Sequence, residues 1–515
     1  MDFFQYCAHR QFLVGRAGRA GRDINTPFLQ CVQKYLTPHT TEADADDLRC
    51  RFFFFLRTIH LDIRKLFHFF YKIIPECSQL LLFFFPILFG TFFQQLYNTA
   101  DAVIVGRFLG KQALAAVGGS TTSIINLLIG FFIGLSSGAT VIISQYYGAQ
   151  KADMVGYAVH TAITASIISG GVLTVVGFFG APLALQAMGT PEDVLGFATL
   201  YIRIYFLGTI PNLIYNIGSG ILRAVGDSKR PLYFLMASCF TNIVLDILFV
   251  ILLQFGIAGA AFATIFSQCV SAFLVIFTLT RTQDLHRLVL SRLGLDTRML
   301  KRIIHIGLPS GLQSSMYGMS NVIIQSSINA LGTDTVSAWA AYGKIDAIFG
   351  MIVSAFGIAI TTFVGQNYGA GKSERIRRGI KVCMGMTLVS TLCLSFVLYN
   401  FGQYIFRIFT TDPEVLSIGM HILRFLVPTY VTYIILEIYS SSLKGVGDSW
   451  KPMIITMLGV CGLRVLWLLL YVPGHRSIYT VIFSYPLTWT ITSVLFLIYL
   501  HGFSYYRFRR YPKKQ

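Results

Sequence analysis

Two carboxylates within apolar stretches are the residues of this chain best placed to do chemistry. Asp101 ends the run Asn98-Thr99-Ala100-Asp101, and Asp246 follows Asn242 by four residues, so Asn242 and Asp246 share one helix face. Ionisable groups inside such stretches are costly and tend to mark pathways for ions or substrates. Two carboxylates close together in a low dielectric cannot both stay charged without a cation. Either a proton binds and the pair titrates as a unit, or a metal ion sits between them. Carboxylate, amide and hydroxyl oxygens suit a hard cation, and Na⁺ extends that logic. For Asp101 alone the plainer reading is a helix cap or a bond to neighbouring backbone.

Depth brings further oxygens to the same level. Asp246 lies about 22 Å above Pro231, where its span begins on the inner side, and Thr264 about 10 Å below Ile257, where the next begins outside. In a hydrocarbon core of roughly 30 Å both fall in the outer half, as does Asp101. Asp101, Asn242, Asp246 and Thr264 are therefore expected to converge in one cation-binding pocket. Its charge changes with occupancy, and that change can bias the helix arrangement. Pro86, upstream of Asp101, removes an intrahelical hydrogen bond and reads as a hinge or a static kink. Pro309 holds a similar place in a later span.

Other polar groups suggest a substrate cleft. Gln94, Gln95 and Tyr97 stand in the first span, and Gln313, Tyr317, Asn321 and Gln325 in the seventh. Amides, tyrosines and many phenylalanines can hold flat amphipathic molecules without a strict hydrogen-bond pattern. The plainer reading is interhelical hydrogen bonding. Glu437 either lines this cleft and attracts cations, or pairs structurally with Arg424, Lys444 or Arg464; the pairing is favoured. His160, His305 and His421 have no mutual spacing that makes a site, and read as core or loop-end residues. The scattered cysteines show neither CxxC nor Cys/His spacing, so no zinc site or disulfide framework is expected.

The elements that must position these residues come in two copies. Gln145-Tyr146-Tyr147-Gly148-Ala149 returns as Gln366-Asn367-Tyr368-Gly369-Ala370, and Gly226-Asp227-Ser228 as Gly447-Asp448-Ser449, both 221 residues on. Arg203 and Arg424 keep the same offset. The counterparts of Asn242 and Asp246 are Leu463 and Trp467, so the polar cluster is not duplicated with the fold. The Gly-Asp-Ser segments read as tight capped turns rather than phosphate loops.

The 515 residues are 54% hydrophobic and only 12% charged, against roughly 25% charged in a soluble domain. Apolar runs of about 20 residues or more fill most of the chain after residue 78. The predicted spans are 79–105, 113–146, 156–180, 195–222, 231–254 and 257–280, then 303–330, 335–366, 379–401, 415–443, 452–472 and 478–501. The fold class is an all-α integral membrane protein: twelve transmembrane helices in two six-helix lobes. An even number of spans per repeat relates the lobes by a pseudo-two-fold axis along the membrane normal. Residues 79–285 form the first lobe and 286–515 the second, with a basic tail. Residues 1–78 stand outside the repeat as an extension expected to be disordered; no signal peptide is read there.

The net charge of +18 does not point to nucleic acid, because the cations sit in alternate short loops and at the ends. That distribution predicts both termini in the cytoplasm; the expected location is the plasma (inner) membrane, as a multi-pass protein.

Taken together, Pro86 to Gly106, the Gln-Tyr-Tyr-Gly-Ala turn, Leu222 to Lys229, Asn242 to Asp246, Gln366 to Ala370 and Leu443 to Pro452 resemble the multidrug and toxic compound extrusion (MATE) family over about residues 79–505. The resemblance implies a V-shaped pair of lobes that alternate access and exchange Na⁺ or H⁺ for organic cations. It implies a first-lobe cation site like that of prokaryotic members at Asp101, Asn242, Asp246 and Thr264. Ser219 stands where the pattern has a helix 4 asparagine. By its span Ser219 also lies nearer the cytoplasmic end than the other four. Members with a helix 7 glutamate are not matched, since Gln313 and Tyr317 occupy that region, and no second-lobe coupling site is expected.

The expected function is secondary active antiport, exporting amphipathic, cationic organic compounds. The alternative is a flippase for a lipid-linked or other amphipathic metabolite, which predicts a more cationic cleft. No nucleophile–base pair or HExxH spacing supports an enzyme. The expected partners are a small drug-like molecule and the bilayer, with the chain a monomer and no cofactor beyond the coupling ion.

Overall fold

The computed structural model describes residues 63–500, and the side chains from Pro75 onward except Ser120. The contacts divide the chain into Met1–Tyr71 and Lys72–Gln515, and the helices discussed below belong to the second unit, apart from the opening residues 63–71 of the first helix. Residues 1–62 of the expected extension and the basic tail from 501 lie outside the described residues.

The first lobe comprises α1 (Ile63–Phe108), α2 (Lys111–Gly148), α3 (Ala152–Ala187), the bent pair α4a (Glu192–Leu207) and α4b (Thr209–Val225), α5 (Lys229–Leu252) and α6 (Gly256–Arg281). The second comprises α7 (Thr297–Asn329), α8 (Thr333–Gly369), α9 (Ser373–Phe406), α10 (Pro413–Val446), α11 (Trp450–Gly474) and α12 (Ile478–Tyr499). Ten of these are individually long and apolar enough to cross a bilayer, and the α4 pair, bent by 51°, makes an eleventh. The twelfth, α7, is helical over 33 residues but too polar to qualify alone. Lys301, Arg302, Gln313, Ser314, Asn321 and Gln325 dilute its apolar content.

The expected boundary at residue 78 falls inside α1, which is helical from Ile63. Glu76 pairs with Arg375 and Arg378 of α9, and Arg375 Nη2 donates to Gln79 Oε1 at 2.6 Å. α1 runs through Pro86 as one helix.

The repeated turns serve as helix ends. Gly226 (φ 111°) and Gly447 (φ 95°) adopt the left-handed backbone that ends α4b and α10, a geometry that favours glycine. Asp227 then accepts from the Lys229 and Arg230 amides, opening α5.

The lobes are locked together at the end of the bundle that carries the basic loops. Gln145 Nε2 of α2 donates to the Gly445 carbonyl of α10 at 2.9 Å. Gln366 Nε2 of α8 donates to the Ala224 carbonyl of α4b at 2.8 Å. Donors and acceptors are repeat equivalents, so one bond is made twice across the lobe boundary. A Cβ on Gly148 would run into the Gln366 carbonyl, and one on Gly369 into the Gln145 carbonyl. The same device seats α7 on α2, where Gly134 meets Gly311 and Gly138 meets Gly307 backbone to backbone.

The 282–296 linker docks along α3. The Val289 amide donates to His160 Nε2 at 3.0 Å, and the Asp296 amide to Thr161 Oγ1 at 3.1 Å. His160 is thus a linker anchor.

Candidate cation site and inter-lobe cavity

Asp101 comes from α1, Asn242 and Asp246 from α5, and Thr264 from α6; all four are buried. Asp101 and Asp246 lie within Coulombic reach of each other. Asp101 Oδ1, both Asp246 oxygens, and Asn242 Oδ1 and Nδ2 have no hydrogen-bond partner. The Thr264 hydroxyl donates to the Ala260 carbonyl at 3.1 Å, which leaves its lone pairs to accept or ligate. α5 and α6 pack along each other. Directly after Asp246, α5 loosens into a π turn at Ile247–Leu252, a distortion frequent at functional sites.

Tyr97, expected in the substrate cleft, stands one turn before Asp101 and within Coulombic reach of both acids. Tyr201 of α4a is likewise within Coulombic reach of both acids, and Tyr205 adjoins Asp101 with its hydroxyl near Gln268 of α6. Tyr201, Tyr205 and Gln268 escaped the sequence reading. The break at Gly208 turns α4a toward this cluster, and Gln268 lies one turn beyond Thr264.

Ser219 belongs to a lower layer. It stands one turn from Tyr215 and from Arg223, and the Tyr215 hydroxyl donates to the carbonyl of Pro231, at the start of α5. Asp246 is about four turns further along that helix.

The second lobe has a polar interior of its own. Asp346 of α8 accepts from the Tyr430 hydroxyl at 2.8 Å and the Tyr342 hydroxyl at 3.1 Å. Arg464 of α11 is buried, donates from Nη2 to Thr488 Oγ1 at 3.1 Å and lies over the Tyr485 ring at 4.2 Å. Gln313 and Tyr317 of α7 adjoin, with Glu437 and Arg464 within Coulombic reach of Tyr317. Gln94 and Asn321 are exposed. Asp346 is a membrane carboxylate the sequence reading passed over; its tyrosine partners satisfy it, whereas the first-lobe acids lack partners.

Glu437 shows only a loose form of the structural pairing favoured above: Lys444 lies within Coulombic reach of it without a close ion pair. Its carboxylate accepts from the Tyr433 hydroxyl at 3.3 Å and the Ser441 hydroxyl at 3.2 Å, and no ion pair forms to it among the described residues. It lines a cavity of about 210 Å³ between the lobes.

Comparison with known proteins fits this architecture. The family model MatE matches residues 86–248 and 309–470, one stretch in each lobe. A probable multidrug resistance protein of Bacillus subtilis, YoeA, is 29% identical over 445 residues, covering 84% of this chain and 94% of its own. A MOP superfamily transporter from Pyrococcus furiosus superposes with a TM-score of 0.79 at 22% identity, covering 85% and 97%. A MATE family transporter solved in an outward-facing conformation gives 0.78 at 22% identity, with the same coverage. The twelve helices of the described residues, the twinned lobes and a family match spanning both halves lead to one conclusion: this chain belongs to the MatE family of membrane transporters.

Proposed function

We propose that the chain is a cation-coupled exporter of amphipathic organic compounds, working by alternating access. The observation that carries this reading is the buried Asp101–Asp246 pair with its unpartnered oxygens. Two dry carboxylates beside an unsatisfied amide are tenable when a cation neutralises them. The donor set of two carboxylates, the Asn242 amide oxygen and the Thr264 hydroxyl fits Na⁺ or a proton. Loading the pair neutralises the outer half of the first lobe, and the π turn after Asp246 gives α5 a place to respond. The relatives' description as multidrug resistance and MATE proteins supports drug-like substrates.

The basic loops lie on the face where Gln145 and Gln366 lock the lobes, so both termini are assigned to the cytoplasm, with the closed end inward. The described conformation is then closed on its cytoplasmic side.

Efflux of ethidium from proteoliposomes, with pH and Na⁺ gradients imposed one at a time, tests the reading. One gradient is expected to accelerate efflux about tenfold or more, as coupling free energies of 1–3 kcal/mol imply. Equal rates with and without either gradient would remove the coupling claim.

A further inference from the structure

The inter-lobe cavity is built from repeat-equivalent pairs. Thr140 and Thr361, Asn216 and Glu437, and Arg223 and Lys444 all line it, each pair separated by 221 residues. A single cavity lined by both members of each pair straddles the pseudo-two-fold axis. It therefore presents two cations, one from each lobe, toward one shared space.

Those cations are not consumed by the fold. Arg223 Nε is buried without a hydrogen-bond partner. Among the described residues the Lys444 ammonium makes no hydrogen bond and no close ion pair, and Glu437 is the one carboxylate within Coulombic reach of it. Glu437, the carboxylate of the same lining, is occupied by the Tyr433 and Ser441 hydroxyls on its own helix. Two positive groups thus face one negative group in a poorly solvated space. A buried charge left uncompensated is strongly destabilising, so this lining favours an incoming anion. At about 210 Å³ the cavity falls below the roughly 300–1,000 Å³ of a pocket that holds a whole drug-sized molecule. It has room for a head group, with the apolar body of the ligand left in the cleft above.

We propose that Arg223 and Lys444 form a two-cation clamp on the pseudo-two-fold axis, which receives the acidic group, carboxylate or phosphate, of an amphipathic substrate. The clamp deepens the exporter reading by naming the chemistry of one end of the cargo, and it rests on that reading. Acids with an additional ammonium group fit as well, because Glu437 stands beside the clamp. The offset gives the site a conformational logic. Arg223 rides on the first lobe and Lys444 on the second, so both reach one anion only while the lobes are together at this level. Separation of the lobes at the basic end divides the clamp and releases its hold.

Equilibrium binding tests this without any ion gradient, so failure of coupling and failure of the clamp are separable. The probes are carboxyfluorescein, its methyl ester, and ethidium, followed by fluorescence anisotropy on detergent-purified protein. The native chain is expected to prefer carboxyfluorescein to the ester. Arg223→Gln with Lys444→Gln should weaken carboxyfluorescein at least about tenfold while ethidium binding stays or tightens. The charge-preserving pair Arg223→Lys with Lys444→Arg should hold carboxyfluorescein within about threefold, which separates charge from folding. Equal loss of both probes in the Gln pair, or no loss of carboxyfluorescein, would overturn the clamp. Displacement of the probe by phosphatidylglycerol but not by free carboxylates would assign the site to a lipid head group and likewise overturn it.

Discussion

Asp101→Asn is expected to abolish gradient-driven efflux while the protein still inserts and folds. The substitution keeps shape and hydrogen-bonding capacity and removes one of the two charges that demand a cation. Deleting one partner of a buried charged set costs about 3 kcal/mol or more. At 1.4 kcal/mol per decade, coupling-ion affinity should fall roughly 100-fold. The same variant carries a second signature. A ligand that binds only the folded protein stabilises it by about 2.7 kcal/mol at a hundred times its dissociation constant. The native chain should therefore melt several degrees higher when saturated with its coupling ion, whereas Asp101→Asn should melt at one temperature throughout. Thermal unfolding with and without saturating Na⁺, and at low and high pH, alongside efflux, checks both. Native-like gradient response in the variant would remove Asp101 from the coupling site.

The next largest effect belongs to Gly369→Ala. Its methyl group would strike the Gln145 carbonyl oxygen, a backbone atom that cannot rotate away. Overpacking of this kind costs about 1–3 kcal/mol, occasionally more. The strain exists only while the lobes are joined at the basic end, so it acts on the equilibrium between closed and open and shifts it about 5- to 150-fold. Gly148→Ala should do the same through the Gln366 carbonyl. Gly385→Ala is the control, because a Cβ there meets nothing within 4 Å. Labelling of Ser137→Cys by a membrane-impermeant maleimide applied from the basic face should speed up in both glycine variants and not in the control. Unchanged labelling would mean that this contact does not set the gate.

The parts legible in the sequence were those carried by one-dimensional regularities. The 221-residue offset exposed the repeat, and with it the two lobes. The spacing of Asn242 and Asp246, with helical rise to set depth, picked out the acids that the fold brings within Coulombic reach. What escaped depended on bends and on faces. Tyr201 and Tyr205 join the acid pair because α4 breaks at Gly208, and hydropathy gives no sign of a 51° turn. That Tyr97 adjoins the acids was not legible, because position along a span does not say which side of it is presented. Asp346 was hidden by its surroundings, since tyrosines that read as aromatic packing are its hydrogen-bond partners. Arg223 and Lys444 stand at the repeat offset, so their pairing too is written in the one-dimensional spacing.

The polarity of α7 bears on how the protein is made. A segment carrying Lys301, Arg302, Gln313 and Asn321 is a poor solute for lipid, and its Gly307 and Gly311 lie against α2. It opens the second half of the chain yet takes its shelter from the first. Synthesis order thus becomes assembly order: the earlier half must already stand in the bilayer to receive the later one. Two separately expressed halves, divided in the 282–296 linker, would accordingly depend on each other unequally, the trailing half needing the leading half at the moment of its insertion.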